Sequence, residues 1–166
     1  MKAQWWLPDA RDTQGLGGAL ARSLHWDDER PRLLYLSGEL GAGKTTLAAA
    51  LLHELGVEEA VRSPSYALIE AYPVPHGQAV HVDLYRLHGA KELQQLGLTE
   101  YLSARTLLLV EWPERAAAAL PPPDLVLALT TAPDPAALGR RAQLDARSTA
   151  GEQWLAATLP AMPKQI

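Results

Sequence analysis

Residues Gly38 to Thr45 read Gly-Glu-Leu-Gly-Ala-Gly-Lys-Thr and fill every fixed position of G-x-x-x-x-G-K-[ST]. The flanks restrict the fold further. Leu33 to Leu36 is an apolar run that predicts a buried strand, and Thr46 to Leu55 predicts a helix. A phosphate-binding loop needs that strand–loop–helix setting. Its glycines let the backbone curl until several N–H groups point inward, and the helix start adds partial positive charge. The loop residues Gly41, Ala42, Gly43, Lys44, Thr45 and Thr46 therefore form the expected phosphate cradle. Lys44 reaches the β- and γ-phosphates, and the Thr45 hydroxyl ligates Mg²⁺.

Such a site needs a carboxylate opposite the loop, commonly placed after four apolar strand residues. Leu107-Leu108-Leu109-Val110 predicts a central strand, and Glu111 follows it. Glu111 is thus the expected Mg²⁺ partner of Thr45, although aspartate is commoner there. Asp83, at the end of His81-Val82-Asp83, either positions the attacking water, holds a metal-bound water, or caps the following turn. His81 alternates with Val80 and Val82 and reads as a packed, hydrogen-bonded residue. Arg86 contacts phosphate or pairs with a nearby carboxylate. Ser65, in Ser63-Pro64-Ser65, offers a hydroxyl to Mg²⁺ or phosphate; the alternative is an ordinary proline turn.

The other elements follow from periodicity. Gln4 to Leu7 predicts an edge strand, and Arg11 to Trp26 a helix with Asp12 as N-cap. Gly15, Gly17 and Gly18 weaken that helix by ~1 kcal/mol each but allow close packing. Tyr66 to Tyr72 and Ala79 to Leu84, joined by a short turn, predict an antiparallel pair and therefore a mixed sheet. Lys91 to Leu96 and Thr99 to Leu102 form a helical stretch broken at Gly97, and Arg115 to Leu120 a short helix. Leu125 to Leu129 and Ala142 to Ala146 are the last strand pair, and Thr149 to Leu159 a terminal helix. The expected architecture is one α/β domain over residues 1–166: a phosphate-loop (P-loop NTPase-like) three-layer sandwich with a mixed, mostly parallel central sheet.

Composition narrows the chemistry. Zero cysteines exclude disulfides and thiol catalysis within the chain, and a net charge of −4 argues against nucleic-acid binding through a basic face. No run is long enough for a membrane span and the first residues lack signal-peptide character, so the expected location is the cytoplasm. The chain contains no asparagine, which removes the Asn-Lys-x-Asp guanine motif and points to adenine. Arg140-Arg141 and Arg147 flank a strand rather than a helical lid, and no acceptor pocket is legible. A small-molecule phosphotransferase is therefore the alternative enzyme, and a nucleotide-gated protein-binding module the alternative from another class.

Four blocks taken together resemble a family. They are the loop Gly38 to Thr46, Ser63-Pro64-Ser65-Tyr66, His81-Val82-Asp83-Leu84-Tyr85-Arg86-Leu87, and Glu111-Trp112-Pro113. Their order and spacing resemble TsaE, the bacterial ATPase family of tRNA threonylcarbamoyladenosine synthesis, as does Thr13 to Ala21 upstream. The resemblance covers roughly residues 10 to 155 and is far more specific than the loop alone. It implies ATP and Mg²⁺ as cofactors and a TsaB–TsaD protein complex as partner. It also implies tRNAs reading ANN codons as the modified molecules, reached through the partners rather than directly. Lys44, Asp83 and Glu111 match the catalytic positions, and Thr45 and Glu111 the metal ligands. Trp112 matches a residue close to the nucleotide, and Thr13 and Arg140 residues near the adenine. The family usually carries threonine where this chain has Ser65, which keeps the hydroxyl and loses a methyl.

Overall fold

A computed structural model describes residues 1–64, 66, 68–132 and 139–162. Its centre is a seven-stranded sheet built from β1 (Lys2–Leu7), β2 (Arg32–Ser37), β3 (Ile69–Val74), β4 (Gly77–Asp83), β5 (Thr106–Glu111), β6 (Leu125–Thr131) and β7 (Arg140–Ala146). The strand order is β1-β7-β6-β2-β5-β4-β3. The three middle pairings, β6–β2, β2–β5 and β5–β4, are parallel, whereas β1–β7, β7–β6 and β4–β3 are antiparallel. The sheet is therefore mixed and parallel in its middle.

The residues of β2 and β5 explain their central place. Leu34, Leu36, Leu107 and Leu109 enter one core, while Leu33, Tyr35, Leu108 and Val110 enter the other. A strand buried on both faces reads as a continuous apolar run, as these two do. The first core is closed by α1 (Ala10–Arg22), α2 (Lys44–Glu54) and α4 (Thr149–Thr158). The second is closed by α3 (Ala90–Gln95) and the 3₁₀ turns after it. Gly17 of α1 lies so near α2 that a Cβ there would stand 2.5 Å from the Leu47 carbonyl oxygen. The close approach expected of the glycines in this helix is real at Gly17, while nothing lies within 4 Å of a Cβ at Gly15.

Several boundaries differ from the sequence reading. Asp9, not Asp12, is the N-cap of α1: its carboxylate accepts from the Arg11 and Asp12 amides, and Asp12 bonds back to the Asp9 amide. The helix stops at Arg22 rather than Trp26, where Ser23 donates its hydroxyl to the Ala19 carbonyl (2.8 Å) and pairs with Thr158 (2.7 Å). Helix α2 starts at Lys44, two residues early. Its end is as expected: the Gly56 and Val57 amides donate to His53 and Leu52 at 3.0 and 3.1 Å. Strand β3 begins at Ile69 rather than Tyr66, because the Leu68 amide turns back to the Pro64 carbonyl (2.6 Å). The expected helix from Arg115 to Leu120 is two 3₁₀ turns, Pro113–Arg115 and Ala117–Ala119. Part of the loop between β6 and β7 lies outside the described residues.

Candidate functional site

Side-chain alternation decides what meets α2. In β5, Leu107, Leu109 and Glu111 share one face; in β4, Ala79, His81 and Asp83 do the same. That face also carries Ala79, Leu107 and Leu109 into the core beneath α2. Asp83 and Glu111 are register partners at the carboxyl ends of their strands, and Leu36 of β2 is the register partner of Glu111 on the other side. The loop of residues 38–43 leaves β2 at this same edge, where ligands of open α/β sheets are bound.

The loop's conformation depends on two glycines. Gly38 has φ of 138°, and a Cβ there would stand 2.3 Å from the Leu129 carbonyl oxygen. Gly43 is the N-cap of α2 with φ of 105° and supplies no capping side chain. The helix therefore presents its first amides without a side-chain acceptor of its own, the arrangement that favours an anion.

Lys44 is 4 % exposed, and its ammonium donates to the Gly38 and Glu39 carbonyls at 2.6 and 2.9 Å. It also lies 4.0 Å from the centre of the Trp112 ring. Burial pushes its pKa below the ordinary lysine range, against the opposing pull of Glu111, Glu114 and Asp83. Thr45 donates its hydroxyl to Glu111, with its oxygen 3.2 and 3.1 Å from Oε1 and Oε2. His81 Nε2 is 2.8 Å from Glu111 Oε1, and both side chains are buried. Asp83 accepts from the Ser63 hydroxyl and, at 2.8 Å, from the Tyr85 amide. The Asp83 bond to the Tyr85 amide is a turn cap, so that alternative is realised while the carboxylate still faces the cleft. Trp112 sits at φ 60° and ψ 48°, a left-handed conformation unusual for a large residue, and its ring meets Tyr85 at 4.9 Å.

Together these groups wall a cleft of about 410 Å³. Of the residues singled out from the sequence, Gly41, Gly43, Lys44, Thr45, Thr46, Asp83, Glu111 and Trp112 line it, and so does Arg86. The Arg86 guanidinium also stacks 4.3 Å from the Tyr66 ring centre. Ala42 belongs to the loop but is buried, and its amide closes the turn by donating to Glu39 (3.1 Å). Thr13 and Arg140 meet each other at 3.4 Å behind Gly43, where a Cβ would stand 2.8 Å from Arg140 Nη1. They flank the loop rather than line the cleft. Ser65 lies outside the described residues. Sequence reasoning left Tyr85 and Ser63 without roles, although both lie inside the quoted blocks and both line the cleft.

The donor chemistry suits a hard cation. Thr45 and Glu111 offer oxygen only, and no group of three or more His, Cys, Asp or Glu side chains among the described residues is placed to hold an ion alone. A cation bound here needs further oxygen ligands from phosphate or water, which is how Mg²⁺ is usually held.

The model of the family described as "Threonylcarbamoyl adenosine biosynthesis protein TsaE" matches residues 7–141. The chain belongs to the TsaE family. Every site residue singled out above, from Thr13 to Arg140, falls inside the matched stretch. The tRNA threonylcarbamoyladenosine biosynthesis protein TsaE of Haemophilus influenzae is 34% identical over 129 residues, covering 78% of this chain and 79% of that protein. The TsaE of Streptomyces coelicolor is 45% identical over 102 residues, covering 60% and 66% respectively. The crystal structure of Bacillus subtilis YdiB superposes with a TM-score of 0.79 at 24% identity, covering 96% of this chain and 95% of that one. This likeness extends the shared fold to both ends of the sheet.

Proposed function

We propose that the chain is a Mg²⁺-dependent P-loop ATPase that serves the threonylcarbamoyladenosine (t6A) modification of tRNAs reading ANN codons. The names of its relatives, tRNA threonylcarbamoyladenosine biosynthesis proteins, support this reading. The observation that carries the enzymatic reading is the Thr45–Glu111 contact across the mouth of a glycine loop whose lysine lines the same cleft. In this reading the fold is a three-layer P-loop sandwich, and the first amides of α2 bind phosphate oxygens. Lys44 compensates phosphate charge, which requires its ammonium to turn from the Gly38 and Glu39 carbonyls toward the cleft.

Thr45 and Glu111 would hold Mg²⁺. When bound, the ion supplies the positive charge on which phosphoryl transfer depends. Asp83, with one oxygen accepting from the Tyr85 amide and the other from the Ser63 hydroxyl, would hold a water or a metal-bound water through the remaining lone pairs of its carboxylate. Trp112 forms the wall beside the nucleotide, and Thr13 and Arg140 stand on the adenine side of the loop. Ser65 would contribute a hydroxyl to phosphate or metal. The partner in this reading is a TsaB–TsaD complex, through which a chain of net charge −4 reaches tRNA without a basic face of its own. No helix among the described residues is long and apolar enough to cross a membrane, which is compatible with a cytoplasmic setting.

The test is ATP hydrolysis and t6A formation with purified TsaB and TsaD, with and without this chain. Lys44→Ala and Glu111→Gln should each abolish both stimulations, because one removes phosphate charge compensation and the other a charged metal contact. Undiminished hydrolysis by Glu111→Gln, or full modification without this chain, would overturn the proposal.

A further inference from the structure

His81 has no place in the nucleotide chemistry described so far, yet its setting is not that of an ordinary core residue. It is 0% exposed in a strand whose neighbours Val80 and Val82 are equally buried. Its Nε2 lies 2.8 Å from Glu111 Oε1, where a ring N–H can donate to the carboxyl oxygen. Its Nδ1 is buried with no hydrogen-bond partner among the described residues. A buried ring with one nitrogen unpaired leaves part of its desolvation cost without a compensating hydrogen bond. Its single polar contact is with Glu111.

That contact restricts the carboxylate. The terminal torsion of a glutamate is soft and roughly two-fold. Here Oε1 is held by His81 on one side, and both oxygens then stand 3.1 to 3.2 Å from the Thr45 hydroxyl. We infer that His81 is a positioning residue: it fixes the Glu111 carboxylate in the orientation that faces Thr45, and so sets the Mg²⁺-dependent part of nucleotide affinity. The inference rests on the reading of Thr45 and Glu111 as the metal-facing pair. Hydrogen-bond partners of a ligating side chain commonly alter metal affinity by about 10- to 100-fold when removed.

The experiment compares ADP affinity with Mg²⁺ and with EDTA in the wild-type chain, His81→Leu and His81→Gln, alongside urea unfolding of each. Leucine removes the donor, whereas glutamine can return an N–H toward the position of Nε2. The expected result is a Mg²⁺-dependent increment reduced about 10-fold or more in His81→Leu. Affinity in EDTA should be unchanged even if removing one partner of the buried pair lowers stability, and His81→Gln should recover most of the increment. An undiminished increment in His81→Leu overturns the inference. So does equal loss of EDTA affinity in both variants, which marks a structural role. A wild-type chain whose ADP affinity ignores Mg²⁺ instead overturns the functional reading beneath it.

Discussion

Gly17→Ala should destabilise the protein even though alanine is the better helix former. Within α1 the exchange gains about 1 kcal/mol of helix propensity. The new Cβ would stand 2.5 Å from the Leu47 carbonyl oxygen and 3.2 Å from both the Ala50 Cβ and the Leu51 amide nitrogen. Ordinary contact begins near 3.4 Å, so α1 and α2 must separate by close to the difference, and the opposing atoms are mostly backbone. Overpacking of this kind costs ~1–3 kcal/mol. Gly15→Ala is the control: it lies in the same helix, gains the same propensity, and meets nothing within 4 Å. Subtracting the two cancels propensity and leaves the packing cost, about 1–3 kcal/mol in favour of Gly15→Ala. Urea titration at unchanged slope reads this directly, and thermal midpoints should separate by roughly 2–4 °C per kcal/mol. Because α2 opens with Lys44 and Thr45, Gly17→Ala should also weaken nucleotide binding while Gly15→Ala leaves it intact. Coincident unfolding curves, or a more stable Gly17→Ala, would refute the close helix contact.

Two further outcomes are expected. Because burial holds the Lys44 pKa below the ordinary lysine value of 10.5, the ammonium loses its proton, and nucleotide affinity falls, as pH rises while still below that value; titration calorimetry at increasing alkaline pH checks it, and a flat profile contradicts it. At Trp112, with φ of 60°, glycine adopts the backbone freely and alanine does not, so Trp112→Gly should be about 1 kcal/mol more stable than Trp112→Ala in urea, and the reverse order would contradict the strained conformation.

Much of this site was visible in the residues themselves. The apolar runs of β2 and β5 announced strands buried on both faces, and a strand–loop–helix pattern around Gly38 to Thr46 located the cleft. The acid after Val110 fell beside Thr45 because strand pairing leaves it little choice once β2 and β5 are neighbours. The N-cap was misplaced because Asp9 and Asp12 both suit it, and only the reciprocal bonds tell the cap from its third-residue partner. Helix α1 was overextended because Leu20 and Leu24 continue its spacing, while the Ser23–Thr158 bond that ends it joins distant parts of the chain. His81 is packed and hydrogen-bonded, as its alternation with Val80 and Val82 implies. Its partner could not be named from sequence, since that depends on the register of β4 against β5. Thr13 and Arg140 converge because β7 pairs with β1, Arg140 opposite Leu7, just before the chain enters α1, a long-range meeting that no local pattern encodes.

The proposed function depends on Lys44, Thr45 and Glu111 forming one site for a nucleotide and its magnesium. Titration calorimetry of the purified chain with ADP, in Mg²⁺ and in EDTA, tests it most directly. The wild-type chain should bind saturably and more strongly with Mg²⁺, Lys44→Ala should lose all binding, and Glu111→Gln should lose only the Mg²⁺ increment. Binding that survives Lys44→Ala, or a Mg²⁺ increment that survives Glu111→Gln, would contradict it.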